Sequence, residues 1–173
     1  MSKVTSHIGV SIDGYAAGPN QSVENPLGEG AERLHEWMFA ADAPDVDVRA
    51  QDEITRGNGA YIMGRNMFGP IRGEWDEPWR GWWGDDPPYH APVYVLTHHA
   101  REPVEMEGGT TFHFVTDGIE AALDRARAAA GDRDVKIGGG ERLFDGLGDA
   151  LDGWRSVEFA SSTAVAHVRL RHR

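Results

Sequence analysis

The hydrophobic pattern of the chain predicts short strands that alternate with helices. The first strand covers residues 3–12, where every second residue from Val4 to Ile12 shares one face. Apolar runs bounded by glycine, proline or polar residues predict further strands at 59–64, 92–97, 110–115 and 134–138. Two last strands, at 156–160 and 164–171, are joined tightly and predict a C-terminal hairpin.

Apolar residues at helical spacing predict helices between these strands. The helix predicted over residues 31–43 has a face made of Leu34, Trp37, Met38 and Ala41. Pro44 ends it, and a second helix is predicted over 45–56. A helix start follows at 65–68, and a longer helix runs to residue 130 after the N-cap candidates Thr116 and Asp117.

This order of elements predicts one α/β domain that covers residues 1–173. The sheet is expected to be mixed but mostly parallel, twisted and flanked by helices, because parallel strands need crossover helices. The C-terminal hairpin is expected to add an antiparallel edge. A chain of 173 residues is long enough to bury a sizeable core as a single domain.

Composition excludes several classes of function. The chain has 28 acidic and 17 basic residues, a net charge of −11, so neither nucleic acid nor an anionic membrane surface is an expected partner. It contains no apolar run of about 18 residues that could span a bilayer. The absence of cysteine excludes disulfides, zinc–thiolate sites and thiol nucleophiles. It also fits a reducing cytoplasm, where we expect the protein to reside.

The carboxyl ends of the predicted strands bring together the chemistry of a phosphate site. Three glycines, Gly138, Gly139 and Gly140, end one strand, and glycine lets the backbone approach a ligand closely. A basic cluster of Arg65, His98, His99 and Arg101 follows two other strands. Ligands in open α/β sheets bind at these ends, so the set favours a phosphorylated dinucleotide. A flexible turn is the alternative for the glycines, and a surface salt bridge is the alternative for Arg65.

Other candidate residues keep two interpretations each. Asp13 follows the first strand and is either a turn residue or a carboxylate that orients a polar heterocycle and relays a proton. His98 and His99 are adjacent, so their side chains point apart; we expect no metal site and prefer phosphate contact over plain loop histidines. The tryptophans between 75 and 83 either wall a substrate pocket or form a patch that a second subunit buries.

Four stretches resemble the bacterial dihydrofolate-reductase-like proteins related to the reductase domain of riboflavin biosynthesis. They are SIDGYAAGP at 11–19, MGRNMF at 63–68, VYVLTH at 93–98 and VKIGGG at 135–140. They occur in the family order and cover most of the chain.

The resemblance implies a dihydrofolate-reductase-like sheet and an NADPH-dependent reductase. It implies that Gly64 and Arg65, with the adjacent Asn66, meet the cofactor phosphates. Thr97, His98 and His99 would lie near the adenosine 2′-phosphate. The pyrophosphate would rest on Gly138, Gly139 and Gly140, and the Asp13 loop with Ala17 would border the nicotinamide and substrate pocket.

One departure from the family pattern follows the glycines. In the family the glycine turn leads into a full helix and a further long strand, whereas here it runs directly into ERLFDG at residues 141–146. The loss of an interior strand would leave buried backbone groups unpaired. Three outcomes are open: either neighbouring strands close that gap, or a partner chain supplies the pairing, or cofactor binding is impaired.

Two functions are therefore carried forward. The first is a cytoplasmic, homodimeric reductase that transfers hydride from NADPH to a small pteridine- or pyrimidine-like heterocycle. The second is a non-catalytic dinucleotide-binding or assembly protein that retains the same scaffold.

Overall fold

The computed structural model describes residues 2–70, 72–75, 78–139 and 153–172. Its main strands are β1 Val4–His7, β2 Ala60–Gly64, β3 Pro92–Leu96, β4 Val104–Glu105, β5 Thr111–Val115 and β6 Val135–Gly138. Within the described ranges they form one six-stranded sheet in the order β1-β6-β2-β3-β5-β4. All neighbours are parallel except β4 and β5, so the mostly parallel mixed sheet is confirmed.

Four α-helices connect the described strands. They are α1 Glu36–Phe39, α2 Asp45–Thr55, α3 Arg65–Phe68 and α4 Gly118–Ala130. The prediction of one helix over residues 31–43 is wrong, because a 3-10 turn at Ala31–Leu34 is separated from α1 by His35, whose φ is −121°. None of the helices in the described ranges is long and apolar enough to cross a bilayer.

The first strand is shorter than its alternating pattern predicts. Its last register pair is His7 with Gly138, where β6 also ends, so the residues after His7 lose their neighbour in the sheet. Ile12, assigned to the buried face, is fully exposed. The prediction of a strand to residue 12 is therefore wrong.

Apolar side chains cover both faces of the sheet. On one face α4 places Ala122, Ala126 and Ala130 against a cluster that includes Ile62 and Val135. On the other face Tyr61, Met63, Val93, Val95, Phe68 and Phe112 form a second cluster, and Trp75 and Trp79 pack against it. The Pro-, Gly- and Trp-rich segment at 70–92, which the sequence predicts to be an irregular surface segment, thus supplies Trp75 and Trp79 to the core.

The predicted C-terminal hairpin is present as β7 Trp154–Ser161 and β8 Ala166–His172. In the described chain it forms a separate two-stranded sheet, so the expectation that it adds the antiparallel edge is wrong; β4 is that edge. A two-stranded hairpin is marginal by itself. Here it is attached to α2 through His167 with Asp47, at 2.8 Å, and Arg169 with Glu53, at 2.5 Å.

The strand that precedes the shortened region has a neighbour on each side. β6 pairs with β1 on one side and with β2 on the other, so its ladder is continuous on both edges. Gly140 and the ERLFDG segment lie outside the described residues.

Candidate functional site

The carboxyl ends of four neighbouring strands meet at one edge of the sheet. The register pairs His7 with Gly138, Met63 with Gly138, and Gly64 with Leu96. Because these strands are parallel, the segments that leave them start side by side. The glycine turn, the Gly64 turn and the segment after Leu96 are therefore neighbours, as the sequence predicted.

Arg65 is positioned by the end of the next strand. Its Nη1 donates to Thr97 Oγ1 at 3.2 Å, and Thr97 is nearly buried. The same hydroxyl oxygen accepts the His99 N–H at 3.1 Å. The Arg65 guanidinium also lies over the Trp75 ring, with its Cζ 3.5 Å from the ring centroid. A guanidinium held over an indole face is fixed in position without losing its charge.

A second guanidinium shares the same indole. Arg101 Cζ lies 4.9 Å from the Trp75 centroid and 5.2 Å from that of Phe114. Trp75 is anchored because its Nε1 donates to the His99 carbonyl at 2.9 Å. The Arg101 Nη1 atom is buried and makes no hydrogen bond to the described part of the chain. An unsatisfied cationic donor of this kind fits a site for an anionic oxygen.

Electrostatics also favour an anion at this position. Burial lowers the pKa of Arg101, and the charges of Arg65 and Arg80 lower it further. Arginine remains protonated under these conditions, so the cations stay close at an energetic cost. A bound phosphate would relieve that repulsion. The carboxylate of Glu74 partly opposes anion binding here, because it lies 2.9 Å from His99 Nδ1 and adds a negative charge.

The side chain of Met67 covers the glycine turn, which the sequence did not predict. Gly139 has a φ of 74°, a left-handed conformation that glycine adopts more easily than residues with a side chain. A Cβ on Gly138 would lie 2.9 Å from Met67 Cε, and one on Gly139 would lie 3.2 Å from Met67 Sδ. The Met67 side chain therefore rests on the turn. It is 39% exposed and unbranched, so a rotamer change can uncover the backbone.

The other predicted phosphate residues differ in how well they are placed. Gly64 has open space where a Cβ would stand, which leaves its backbone accessible to a ligand. The Asn66 side-chain oxygen accepts from Arg72, and both residues are exposed. His98 is exposed at the start of the segment after β3.

Asp13 and Ala17 line a cavity of about 440 Å³ in the loop after β1. The remaining wall includes Ser11, Tyr15, Gly18, Pro19, Gly30, Ala31, Arg33 and Leu34. Asp13 accepts from the Ser11 hydroxyl at 2.5 Å, and the same hydroxyl accepts the Tyr15 N–H at 2.9 Å. Asp13 is thus part of a turn, and its carboxylate also forms part of the cavity wall.

Sequence reasoning missed two residues that shape this site. Trp75 was grouped with its neighbours as pocket wall or subunit contact, yet it is the platform for both arginines. Met67 carried no signal, since a methionine after a strand end is an ordinary core residue. A hint for Trp75 existed in its position between two arginine-bearing segments. In the described ranges, no group of three or more His, Asp or Glu residues could hold a metal ion.

A comparison with protein families gives a match, whereas no curated protein matches the chain. The model of the RibD C-terminal domain family matches residues 2–150, which is most of the chain and includes the four strand ends described above. The chain therefore belongs to the RibD C-terminal domain family, a reductase family with a dihydrofolate-reductase-like fold.

Proposed function

We propose that this protein is a cytoplasmic NADPH-dependent reductase of a small heterocyclic substrate, pteridine- or pyrimidine-like. The observation that carries the proposal is the pair of guanidiniums, Arg65 and Arg101, on one indole at the sheet edge where the Gly138–Gly139 turn also lies. Membership in a reductase family supports the reaction class.

The paired arginines account for selection of a phosphorylated dinucleotide. A chain with a net charge of −11 repels anions, so a local cationic site is needed for an anionic cofactor to bind. Arg65 and Arg101 would hold the 2′-phosphate, with the Thr97 hydroxyl and His98 and His99 beside them. Charge-assisted hydrogen bonds of this kind contribute about 1.5–3 kcal/mol each.

The glycine turn would hold the pyrophosphate once Met67 has turned away. Gly138 and Gly139 allow close approach of the backbone, and open space above Gly64 extends the same surface. The loop after β1 begins beside this turn, because His7 is paired with Gly138. The same loop continues to Asp13 and Ala17, which line the cavity.

The bound nicotinamide supplies the hydride, and the chain supplies alignment and a proton path. A cavity of about 440 Å³ is within the usual range for a small-molecule site. Asp13 would orient the substrate by accepting a hydrogen bond from a ring N–H, and it would relay a proton from water to the substrate as the hydride arrives. The Ser11 hydroxyl, already bonded to Asp13, would keep the carboxylate in place.

Titration with NADPH and with NADH tests the cationic site. Energy transfer from protein tryptophan to the bound nicotinamide reports binding, and we expect NADPH to bind more tightly. Arg101→Ala should weaken NADPH binding about 10- to 100-fold, the loss of one charge-assisted contact, and leave NADH unchanged. Arg127→Ala is the matched control, because Arg127 is an exposed arginine on α4. Equal affinities for both cofactors, or equal losses in the two variants, would contradict the assignment.

A second candidate is a non-catalytic dinucleotide-binding or assembly protein. It is favoured by Met67, whose thioether covers the turn expected to receive the pyrophosphate. Met67→Ala separates the two functions. A reductase should bind NADPH more tightly in this variant and still oxidise it with substrate, whereas a non-catalytic protein gains binding and shows no oxidation.

A further inference from the structure

We propose that His7 and Lys136 bind a carbonyl oxygen of the substrate ring, on which negative charge collects as hydride arrives. The inference rests on the proposed reductase function and adds two binding residues to it. His7 ends β1, and Lys136 lies in the neighbouring strand β6. We call these two residues the polar pair.

The polar pair lies on one face of the sheet, close to the glycine turn. His7 is the register partner of Gly138, and Lys136 is the partner of Thr5, so both side chains point to the same side. Lys136 is also the partner of Tyr61, which belongs to the apolar cluster on that face. Along β6, Lys136 and Gly138 are about 6.6 Å apart, roughly the length of an extended lysine side chain.

Lys136 is buried without a pairing group. It is 7% exposed, and it makes no hydrogen bond or ion pair with the described residues. The two carboxylates whose charges act on it are bonded elsewhere: Glu53 pairs with Arg169 at 2.5 Å, and Asp134 accepts the backbone N–H of Lys3 at 2.7 Å. Burying a lysine in this way is costly, and an oxygen with negative charge would offset that cost.

His7 supplies a neutral donor next to this cation. Burial lowers the pKa of His7 to about 4, so its imidazole is uncharged at neutral pH and one ring nitrogen carries a hydrogen. Within the described part of the chain, its side chain has no hydrogen-bond partner. An ammonium group and an imidazole N–H side by side are the donors expected for an oxygen that carries partial negative charge.

The Met67 side chain fills the space beside the polar pair. A Cβ on Gly138 would point to the same face as His7, because these residues are register partners, and it would lie 2.9 Å from Met67 Cε. The methyl group therefore occupies the row of His7, two residues along β6 from Lys136. The movement of Met67 that would expose the glycine turn to the cofactor would open this space as well.

Sheet order places the polar pair on the substrate side of the glycine turn. β6 has β1 on one side, and β2 and then β3 on the other. Arg65 and Thr97, the proposed phosphate residues, follow β2 and β3, whereas His7 ends β1, the strand that leads to the Asp13 loop. The substrate would thus offer a ring N–H to Asp13 and a ring carbonyl to the polar pair.

The polar pair would also assist the reaction. Hydride addition to a ring carbon oxidises NADPH and moves a pair of π electrons toward the carbonyl oxygen. The proton relayed by Asp13 then completes reduction of the ring double bond. A buried cation stabilises this oxygen more as the charge develops than before, so Lys136 would lower the barrier as well as bind.

Replacement of the carbonyl in the ligand tests this contact. The probes are pterin, which carries a ring carbonyl, and diaminopteridine, in which an amino group replaces it. They are titrated by their own fluorescence, slightly above neutral pH, into protein saturated with NADP⁺. The parent should prefer pterin by about 10- to 100-fold, as expected for one hydrogen bond to a charged group.

The variants assign that preference to the polar pair. Lys136→Met keeps the length of the side chain and should lose most of the preference. Lys3→Met is the matched control, because Lys3 is the other lysine of the chain and is exposed, and it should keep the preference. His7→Gln retains a donor and should keep more of the preference than His7→Phe. A ratio of two affinities does not change when a variant is merely less stable.

Labelling of the two lysines measures access to the polar pair directly. Reductive methylation followed by mass spectrometry compares Lys136 with Lys3. Met67→Ala should raise the labelling rate of Lys136, and bound pterin should lower it, while Lys3 reacts at the same rate throughout.

The outcomes separate this proposal from the reductase function. Failure of both probes to bind, an equal preference in the parent and Lys136→Met, or labelling that neither Met67→Ala nor pterin changes would overturn the role of the polar pair. If the protein does not bind NADPH but keeps a preference that depends on Lys136, the oxygen site stands and the reductase function fails. If NADPH is bound and oxidised without that preference, the polar pair alone fails.

Discussion

The two halves of the molecule are held together by different interactions. In the packed half, defined as β2, β3, β5 and α4, the strands are buried on both faces by apolar side chains. In the polar half, defined as β1, α2, the hairpin and Lys136 of β6, charged and polar side chains meet. There Asp47 and Lys136 are buried, and His7 is half-buried. We therefore expect core substitutions to be most costly in the packed half and pH effects to arise in the polar half.

This difference bears on the proposed cofactor site. Trp75, the platform for Arg65 and Arg101, packs edge-on against Phe68 and Phe114 with ring centroids 5.9 and 5.0 Å apart. The cations that would select the cofactor are therefore fixed by the packed half. The hairpin is attached to the polar half through His167 and Arg169, so its position depends on a separate set of interactions.

The largest expected effect comes from a cavity in the packed half. Phe112 is 2% exposed and its ring lies 4.9 Å from that of Phe68. Phe112→Ala should lower the free energy of unfolding by about 3–5 kcal/mol, since both the transfer and cavity terms are lost. Urea unfolding measures the change. Phe39→Ala is the control, because Phe39 is 66% exposed, and it should cost less than about 1 kcal/mol. Similar losses in both variants would show that the packed half does not dominate stability.

The packed half was also the part that the sequence predicted well. The runs at β2 and β3 are apolar on consecutive residues, as expected for strands buried on both faces, whereas β5 interleaves Phe112 and Phe114 with polar residues. All three strands were placed within one residue of their observed ends. The two-residue β4 was missed because it is too short to show a period. Arg65 and Thr97 were identified as neighbours because parallel strand ends must converge.

The polar half was predicted less well, for a physical reason. The alternation of β1 continues to Ile12, but the strand stops where β6 provides no further partner. The hairpin was found from its own pattern, yet its position depends on long-range contacts such as His167 with Asp47, which no local period reveals. The contact of Met67 with the glycine turn and the stacking of two arginines on Trp75 likewise depend on tertiary structure.

A pH effect should distinguish the polar half. Burial lowers the pKa of His7 to about 4 from 6.5, helped by the charges of Lys136, His167 and Arg169 and opposed by Glu53. Between these values the unfolded chain binds a proton that the folded chain does not. Stability should therefore fall as pH falls from about 6.5 to about 4, by about 2–3 kcal/mol at roughly 1.4 kcal/mol per unit.

The control for this titration is His7→Gln, which removes the proton and keeps a polar side chain. Urea unfolding of both proteins across this range isolates the contribution of His7, because other groups titrate alike in each. The difference in unfolding free energy between parent and variant should shrink or change sign as the pH falls. A constant difference would mean that His7 is as accessible in the folded state as in the unfolded one.

The smallest effect concerns the attachment of the hairpin to α2. Asp47 is 2% exposed and its carboxylate lies 2.8 Å from His167 Nε2, whereas Glu53 is 53% exposed in its pair with Arg169. Asp47→Asn keeps an acceptor but loses the charge, so it should cost about 1–2 kcal/mol. Glu53→Gln, the matched change on the same helix, should cost about 0–1 kcal/mol because solvent screens an exposed pair. Urea unfolding gives both values, and hydrogen exchange in β8 should rise more for Asp47→Asn. If Glu53→Gln released the hairpin more than Asp47→Asn, the exposed arginine pair and not the buried histidine contact would hold the two parts together.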